Sequence, residues 1–232
     1  MPRIARSSPG GVIYHVLNRS ARGQDLFEDP NDYAAFIRTL VDVHEQEPIR
    51  ILGFCLMRNH WHLILWPTKD GQLSQFMQKL TVTHVRRWVE YRQRVGWGSI
   101  YQGRYKSFPV QTDAYLLTLL RYVERNPLRA KLVRRAEKWR WSSLGQLHAQ
   151  PDERVPEVPL AKWPIVRPAD WAKRVNQPQA SSEEEAVVAS LQRSRPLGSA
   201  EWTSAMEKKL RLPPLRPPGR PKGSGRNQVK PK

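Results

Sequence analysis

The strongest constraint on the fold of this chain comes from two apolar segments that lie only two residues apart. Residues 49–57 form a dense apolar run, and residues 60–66 (HWHLILW) follow directly after Arg58 and Asn59. Short apolar runs rich in β-branched and aromatic residues are typical of strands. A two-residue connection joins antiparallel neighbours, because parallel strands need a much longer crossover. The sequence therefore predicts a buried antiparallel hairpin, around which the other elements must be arranged.

The elements on either side of this hairpin indicate an α+β fold. Apolar periodicity predicts strands within residues 12–18 and 100–110, and helices over residues 30–47, 73–94 and 113–125. The order β-α-β-β-α-β-α is the ferredoxin-like order, an antiparallel sheet with two helices on one face, here with one extra helix. We expect Thr112 or Asp113 to cap the extra helix and Asn126-Pro127 to end it.

Composition divides the chain into four segments. Residues 1–148 carry the predicted sheet and its helices and form the first predicted domain. Residues 149–181 are rich in proline and lack periodicity, which indicates a linker or an extended wrapping segment. Residues 182–210 have a helical pattern that begins with Ser182 and Glu185 at capping-box spacing. Residues 211–232 are basic, contain no acidic residue and are expected to be disordered.

The charge of the chain points to a polyanionic partner. The net charge is +18, and the isoelectric point is about 10.6. Residues 1–150 carry 23 basic and 12 acidic residues, and residues 151–232 carry 16 and 9, so both parts are basic. Positive charges in such excess repel one another in a compact fold. The excess therefore favours nucleic acid as the partner. A basic ribosome-associated or membrane-surface protein is the alternative.

Cysteine usage and the N-terminus bear on the compartment. Cys55 is the only cysteine and lies in an apolar run, which favours a buried, unreactive thiol. A chain with one cysteine has no internal disulfide, as is usual in a reducing cytoplasm. No apolar signal core or long apolar run is present. We expect a cytoplasmic protein that is associated with the nucleoid.

The pair His60 and His62 is the first candidate for chemistry. Residues two apart on a strand point to the same face, so both imidazoles converge and Trp61 points to the core. Two converging imidazoles can share a divalent metal. Because the pattern is short, two ordinary half-buried histidines are the more common meaning of it alone.

The predicted helix over residues 113–125 carries the second candidate. Tyr122 and Asn126 are four residues apart and therefore share a face, where they could offer a phenol to a substrate and a carbonyl oxygen to a metal. Tyr115 lies seven residues before Tyr122 on the same face, so spacing leaves both tyrosines open. A tyrosine at the edge of an apolar stripe and an Asn-Pro helix terminator are the ordinary explanations.

Several motifs in one order resemble a known family. They are RNHWHLIL, YQGRYKS, DAYLLTLLRYVERNPLRAKLV and WRWSS, followed in the C-terminal part by RSRPLGSAEW. The first is similar to the metal-binding strand of the IS200-like, single-tyrosine (Y1) HUH transposases. The others resemble the REP-associated tyrosine transposase branch of that family. The resemblance covers residues 10–144 and departs locally at Arg58, where the family more often has proline.

The resemblance implies roles for the site residues. Tyr122 matches the nucleophilic tyrosine, so the extra helix of the fold is the implied catalytic helix. His60 and His62 match the metal ligands, and Asn126 matches the polar ligand one helical turn after the tyrosine. The implied cofactor is a divalent cation, Mg²⁺ or Mn²⁺.

The resemblance also implies a reaction and a partner. The reaction is metal-dependent nicking and strand transfer of single-stranded DNA through a 5′-phosphotyrosine at palindromic, REP-like hairpins. The implied partner is single-stranded or hairpin DNA, with no membrane and no small-molecule substrate, and the protein acts as a monomer or homodimer. One alternative is a non-catalytic DNA-binding protein that regulates repeat elements. Another is a metal-dependent nuclease that uses water.

Basic side chains at three places are candidate DNA contacts. The long helix and the residues just after it carry four arginines among three aromatic residues, which is typical either of a stacking DNA groove or of a solvated face over a buried tryptophan. These residues are Arg86, Arg87, Arg92, Arg94, Trp88, Tyr91 and Trp97. The motifs YQGRYKS and RYVERNPLRA add further basic and aromatic side chains. In the tail, PPGRPK resembles an AT-hook core, with a generic basic tail as the alternative. The candidates are Arg86, Arg87, Arg104, Tyr105, Lys106, Arg129 and Arg220.

Overall fold

A four-stranded antiparallel sheet forms the centre of the computed structural model, which describes residues 8–94, 96, 98–150 and 155–214. The spatial order of the strands is β2-β3-β1-β4, so the first and third strands lie in the middle. All neighbouring pairs are antiparallel. The strands are β1 (Ile13–Arg19), β2 (Arg50–Met57), β3 (His60–Trp66) and β4 (Lys106–Val110).

Helices cover both faces of this sheet. The predicted pair packs together on one face, and the extra helix packs on the other against β2. The predicted ferredoxin-like fold with one extra helix is therefore confirmed. No helix in the described ranges combines the length and apolar character needed to cross a membrane. The helices are α1 (Pro30–Gln46), α2 (Gln72–Tyr91), α3 (Ala114–Arg129), α4 (Ser143–His148), α5 (Trp171–Asn176), α6 (Ser181–Arg193) and α7 (Ala200–Lys209).

The central hairpin forms as the sequence predicts. Met57 pairs with His60 across a turn made by Arg58 and Asn59. The carbonyl oxygen of Arg58 accepts hydrogen bonds from the backbone N–H groups of Leu26 and Phe27, at 2.7 and 3.0 Å. The turn is thus held by its backbone to the segment before α1, which explains why arginine is accommodated there.

The end of α3 differs from the sequence prediction. Asp113 caps the helix as expected, its side chain accepting from the backbone N–H of Tyr115. The helix does not end at Asn126-Pro127 but continues to Arg129. Proline lacks the N–H that would bond to the carbonyl oxygen four residues earlier. Here the Asn126 side-chain amide donates to the carbonyl oxygens of Tyr122 and Val123, at 3.2 and 3.4 Å, and so compensates for the missing donor.

Two other predicted elements are longer than the elements in the structure. The helix α2 ends at Tyr91 rather than at residue 94, and Gln93 adopts a left-handed backbone with φ of +51°, which closes the helix. Within residues 100–110 only Lys106–Val110 form a strand, while Tyr101 makes an isolated bridge to Ser20.

The described part of residues 149–181 packs closely on the domain. Trp171 and Val175 of α5 are buried in the apolar cluster beneath α3. The backbone N–H of Ala161 donates to the carbonyl oxygen of Ile51 on β2 at 2.9 Å. These contacts are those of a wrapping segment.

The two C-terminal helices begin differently. The helix α6 follows Ala180 with no side-chain cap, so the predicted capping box of Ser182 and Glu185 is wrong. The helix α7 is capped by Ser199, whose hydroxyl accepts from the backbone N–H of Trp202 at 3.2 Å. The tail beyond residue 214, and with it Arg220, lies outside the described residues.

A buried carboxyl group joins four elements of the fold. Glu124 of α3 is fully buried, and its two oxygens accept from the Ser143 hydroxyl and the Trp171 indole N–H, each at 2.6 Å. The same Ser143 hydroxyl accepts from the backbone N–H of Phe54 at 3.1 Å. Burial raises the pKa of Glu124, and the two hydrogen bonds oppose that rise. The network therefore fixes α3 to β2, α4 and α5.

We predict that Trp171→Phe will lower the free energy of unfolding by about 1.5–3 kcal/mol. The change removes the only indole donor to a buried carboxyl oxygen, and hydrogen bonds to charged groups have that magnitude. Urea unfolding followed by circular dichroism measures the loss.

The matched control is Trp163→Phe. Trp163 packs against Trp171, and its indole N–H donates to the uncharged carbonyl oxygen of Leu52 at 2.8 Å. This variant loses a similar apolar area but a neutral hydrogen bond, so we expect a loss of about 0.5–1.5 kcal/mol from that bond. Equal losses in the two variants would contradict the assigned role of Glu124.

Candidate active site

A pocket of about 730 Å³ lies where the beginning of β3 meets the C-terminal half of α3. Strands β1 and β3 form its floor, α3 forms one wall and α6 contributes another. The backbone segment before β4 closes the remaining side. The site residues predicted from the sequence that line the pocket are His60, His62, Tyr122, Asn126, Arg129, Arg104 and Lys106.

Strand alternation brings the two histidines of β3 together. The rings of His60 and His62 have centroids 5.0 Å apart and are nearly perpendicular, at 84°. Trp61 lies on the opposite face, fully buried, and its indole N–H donates to the hydroxyl of Tyr101 at 3.0 Å. The convergence expected from the sequence is therefore present.

Each histidine has one ring nitrogen in a hydrogen bond. The Nδ1 of His60 lies 2.7 Å from Oδ1 of Asn59, and that of His62 lies 2.9 Å from Nε2 of His15. A carbonyl oxygen only accepts, so the His60 Nδ1 carries the proton and its Nε2 has a lone pair. A ring held in this way offers its second nitrogen to a metal.

The surroundings keep both histidines neutral. Burial lowers the pKa of His60 to about 4, and the positive charges of Arg19 and Arg129 act in the same direction. Burial also lowers the pKa of His62 well below its ordinary value, with smaller contributions from the neighbouring histidines and arginines. Neutral imidazole is the form that binds a metal.

Tyr122 lies in this pocket with its own chain's histidines. Its ring centroid is 6.5 Å from that of His62, and the guanidinium carbon of Arg129 lies 4.3 Å from its ring centroid. Tyr115 does not line the pocket and packs instead at the edge of the apolar cluster beneath α3. Spacing left the two tyrosines open, whereas the structure places only Tyr122 beside the histidines.

Asn126 follows one turn later and lines the same pocket. Its Oδ1 accepts from the Arg129 guanidinium at 2.7 Å, while its amide nitrogen is used by the helix backbone. Among the described residues, no group of three or more His, Cys, Asp or Glu side chains could hold a metal. Two neutral imidazoles and an amide oxygen nevertheless suit a divalent cation, provided that Arg129 releases the amide oxygen.

A second cavity of about 1000 Å³ extends from this pocket along α2, and we call it the α2 groove. It shares Asn18, Gly103 and Arg104 with the pocket and also contains Arg86 and Tyr105. No acidic side chain is among the described residues that line it. Of the predicted DNA contacts, three lie in the pocket (Arg104, Lys106 and Arg129) and three lie in the α2 groove (Arg86, Arg104 and Tyr105).

The neighbouring arginines of α2 have a different role. Arg87 lies in the crevice between α1 and α2, where it donates to Asp42 at 2.7 Å and to Thr39 at 3.1 Å. Arg92 forms ion pairs with Glu28 and Asp32, beneath which Trp88 is buried. The structure thus differs from the expectation for Arg87, because its charge is used to hold the two helices together. Trp97, the third aromatic residue of that pattern, lies outside the described residues.

Several residues in or beside the pocket are brought there by contacts that sequence periodicity does not predict. His15 of β1 does not line the pocket, but the pairing between β1 and β3 brings its ring to His62. Val188, Leu191 and Gln192 of α6 come from a segment more than sixty residues after Tyr122. Long-range packing brings these residues to the site, and the periodicity of the sequence does not predict such contacts.

The model of the IS200-like transposase family matches residues 10–126, half of the chain. The chain belongs to that family, and the family predicted from its motifs is confirmed.

Two solved structures are similar to this chain, and the first of them shares its fold. A REP-associated tyrosine transposase bound to a REP hairpin is 16% identical, with a TM-score of 0.51 over 72% of this chain and 100% of that chain. A protein from Deinococcus radiodurans, provisionally assigned as a transposase, is 19% identical, with a TM-score of 0.38 over 53% of this chain and 96% of that chain. No curated protein matches the chain.

We predict that acid will destabilise the metal-free protein between about pH 6.5 and pH 3. Burial lowers the pKa of His15 and of His84 to about 3 and that of His60 to about 4. The unfolded chain takes up protons near pH 6.5, whereas the folded chain does not, so stability falls as the pH falls through this window. Each such histidine contributes up to about 1.4 kcal/mol per pH unit. Urea unfolding at several pH values, with a chelator present, measures the slope.

The variant that tests this slope is His84→Asn, and His148→Gln is its control. His84 is buried, with its Nδ1 2.7 Å from the Tyr101 hydroxyl, and an asparagine amide can occupy a similar position. His148 is exposed at the end of α4. The slope should become shallower only in His84→Asn, and an unchanged slope there would show that burial of that histidine is not linked to acid stability.

Proposed function

We propose that this transposase cuts and rejoins single-stranded DNA through a covalent bond to Tyr122. The observation that supports the proposal is the pocket itself. One chain brings a phenol, two neutral imidazoles and an amide oxygen to a single basic cavity. Tyrosine, with an ordinary pKa near 10, is a weak nucleophile unless it is positioned against its target.

The proposed step conserves the energy of the bond that breaks. The phenolic oxygen of Tyr122 bonds to the phosphorus, the bond from phosphorus to the 3′-oxygen breaks, and the phenolic proton ends on that 3′-oxygen. The products are a 5′-phosphotyrosine and a free 3′-hydroxyl. Because a phosphodiester replaces a phosphodiester, attack by another 3′-hydroxyl reseals the strand without ATP.

His60, His62 and Asn126 are the proposed ligands of the divalent cation. When bound, Mg²⁺ or Mn²⁺ polarises the phosphoryl oxygen and neutralises charge on the leaving 3′-oxygen. Asn59 orients His60 through its carbonyl oxygen. The low pKa values of the histidines keep protons from competing for their ring nitrogens at neutral pH.

Arg129 is the proposed phosphate contact at the reacting centre. Its guanidinium covers the ring of Tyr122 and donates to Asn126, so it lies beside both the nucleophile and a proposed ligand. Guanidinium binds phosphate oxygens strongly and in two-pronged geometry. In the proposed reaction an arriving phosphate draws Arg129 away from Asn126, which frees the amide oxygen.

DNA is the proposed partner, and REP-like hairpins are its proposed form. The pocket and the α2 groove share a boundary and carry arginines and a lysine without acidic lining residues, so together they suit an extended phosphate backbone. The REP-associated transposase that shares the fold was solved with a REP hairpin. We place this chain in the same branch, at the nucleoid, with residues 1–148 as the catalytic domain. The proposed transposase acts as a monomer or homodimer.

Two other functions make different predictions. A repeat-binding protein without activity would bind hairpins but cleave none. A water-using nuclease would cleave but leave no nucleotide on the protein. The covalent adduct on Tyr122 distinguishes the proposed reaction from both.

We predict that Tyr122→Phe will abolish cleavage and the covalent adduct while hairpin binding persists. The change removes only the phenolic oxygen, so packing beneath Arg129 is retained. Labelled single-stranded hairpin DNA from around the protein's own gene, run on a denaturing gel with the wild type, should show a slow protein–DNA band. Peptide mass spectrometry should place the nucleotide on residue 122.

Tyr115→Phe is the control for this experiment. Tyr115 lies on the same helix outside the pocket, so its loss should leave cleavage intact. An adduct on Tyr115, Tyr105 or Tyr101, or efficient cleavage by Tyr122→Phe, would identify a different nucleophile.

We predict that His60→Ala and His62→Ala will each remove metal-dependent cleavage with the fold retained. Each change deletes one proposed ligand from the pocket floor. Cleavage across a series of Mg²⁺ and Mn²⁺ concentrations, with circular dichroism as the folding control, checks the outcome. Full activity in both variants would refute the proposed metal site.

We predict that the α2 groove contributes to the salt dependence of DNA binding. Each phosphate contact with single-stranded DNA contributes about 0.7 to the slope of log affinity against log salt. The double change Arg86→Gln with Arg104→Gln should therefore flatten the slope by roughly 1.4. Arg87→Gln, whose charge is paired with Asp42, is the matched control and should leave the slope unchanged. An equal effect of Arg87→Gln would contradict the assignment of the groove.

A further inference from the structure

One polar side chain in the sheet has no role in the reaction described above. His15 of β1 is fully buried, and its ring stacks on that of His62, with centroids 5.0 Å apart. The edge of the Phe108 ring meets it from β4, with centroids 5.1 Å apart. Nε2 of His15 lies 2.9 Å from Nδ1 of His62, whereas its own Nδ1 has no hydrogen-bond partner within the described part of the chain.

An unpaired polar atom in a core has an energetic cost. A buried donor or acceptor without a partner lowers the stability of the fold, and an apolar ring at this position would avoid that loss. Such an atom in a native fold calls for an explanation. The explanation lies in the one hydrogen bond that His15 does make, because its partner is a proposed metal ligand.

The proton in the bond between the two histidines can have two positions. If it belongs to His62, the Nδ1 of His62 donates and its Nε2 keeps the lone pair that a cation requires. If it belongs to His15, then His62 carries its proton on Nε2, and the nitrogen that is left for the pocket becomes a donor. A nitrogen that bears a proton cannot be a ligand. Only the first arrangement is compatible with a metal in the pocket.

The two histidines of β3 are therefore oriented by different means. Asn59 offers a carbonyl oxygen, which only accepts, so the tautomer of His60 is fixed by its partner. A histidine partner can donate or accept. His15 must therefore keep its Nε2 free of a proton and carry its proton on Nδ1, which is the atom without a partner.

We propose that His15 is a positioning residue for the metal ligand His62. It accepts the Nδ1 proton of His62, holds the ring against β1 and keeps Nε2 available to the cation. The inference rests on the proposed function, since it concerns the same divalent cation. Partners that orient a ligand in this way typically change metal affinity by about 10–100-fold when they are lost.

Mn²⁺ affinity of the DNA-free full chain tests this role. Electron paramagnetic resonance measures free Mn²⁺ during titration of the wild type, His15→Phe, His15→Gln and His62→Ala. Phenylalanine keeps a ring in the sheet but cannot accept, so we expect binding about 10–100-fold weaker than in the wild type. Glutamine can place a carbonyl oxygen near the position of Nε2 and should restore affinity to within a few-fold.

The tautomer of His62 gives a second readout that needs no variant. In the wild type loaded with diamagnetic Zn²⁺, long-range ¹H–¹⁵N correlation of the imidazoles should show His62 and His15 both protonated on Nδ1. This measurement stands alone if His15→Phe does not fold. A proton on Nε2 of His62 would overturn the inference.

The remaining outcomes separate this inference from the proposed function. If the wild type and His15→Phe bind Mn²⁺ equally while His62→Ala does not, the role of His15 is refuted and the metal site stands. Equal loss in His15→Phe and His15→Gln would show that the histidine matters for packing and not as an acceptor. If the wild type itself binds no metal, the proposed site fails and the role of His15 with it.

Discussion

The register between β1 and β3 is the constraint on which the site depends. In this register His62 lies opposite Leu17 and His60 opposite Arg19, with His15 two residues along on the same face. A shift of one residue would turn both pocket histidines towards α1 and α2, because side chains alternate along a strand. Trp61 opposes such a shift, since its buried indole N–H donates to the Tyr101 hydroxyl, which in turn lies 2.7 Å from Nδ1 of His84. A hydrogen-bond network on one face of the sheet thus fixes the positions of the pocket histidines on the other face.

The position of Tyr122 depends on a second set of contacts, those that hold α3. Leucines of the helix are buried against β2, and Glu124 joins it to Ser143 and to Trp171 of the wrapping segment. Glu124 and Tyr122 are two residues apart on a helix and therefore face different directions. The network thus lies away from the pocket while it fixes the rotation of the helix about its axis. The chain after residue 148 consequently belongs to the architecture of the site, and among its described residues those that line the pocket come from α6.

Much of this architecture is predictable from local pattern, and the remainder depends on partners far along the chain. The hairpin, the shared face of His60 and His62 and the buried stripe of α3 follow from periods of two and of about 3.6 residues. The end of α3 was mispredicted because the Asn126 amide replaces the donor that Pro127 lacks, a compensation that only the folded helix shows. Arg86 and Arg87 differ by a rotation of about 100° on the helix, which sends one to the α2 groove and the other to Asp42. Spacing does not show whether Tyr115 or Tyr122 lines the pocket, because that depends on how α3 packs on β2.

The electrostatics of the pocket couple the binding of the proposed cation to the binding of the proposed DNA strand. Its charged lining consists of Arg19, Arg104, Lys106 and Arg129, and no carboxylate is among the described residues that line it. Burial, with smaller contributions from Arg19 and Arg129, lowers the pKa of both histidines and keeps them neutral, which prepares them for a cation, but the positive lining also repels the cation itself. A phosphate backbone in the pocket reverses that repulsion and draws Arg129 from Asn126. In the proposed reaction, metal and DNA therefore bind with positive cooperativity, and linkage requires that each strengthens the other by the same factor. In the proposed reaction, the DNA-free site binds its cation, and it binds that cation more tightly when the strand to be cut is present.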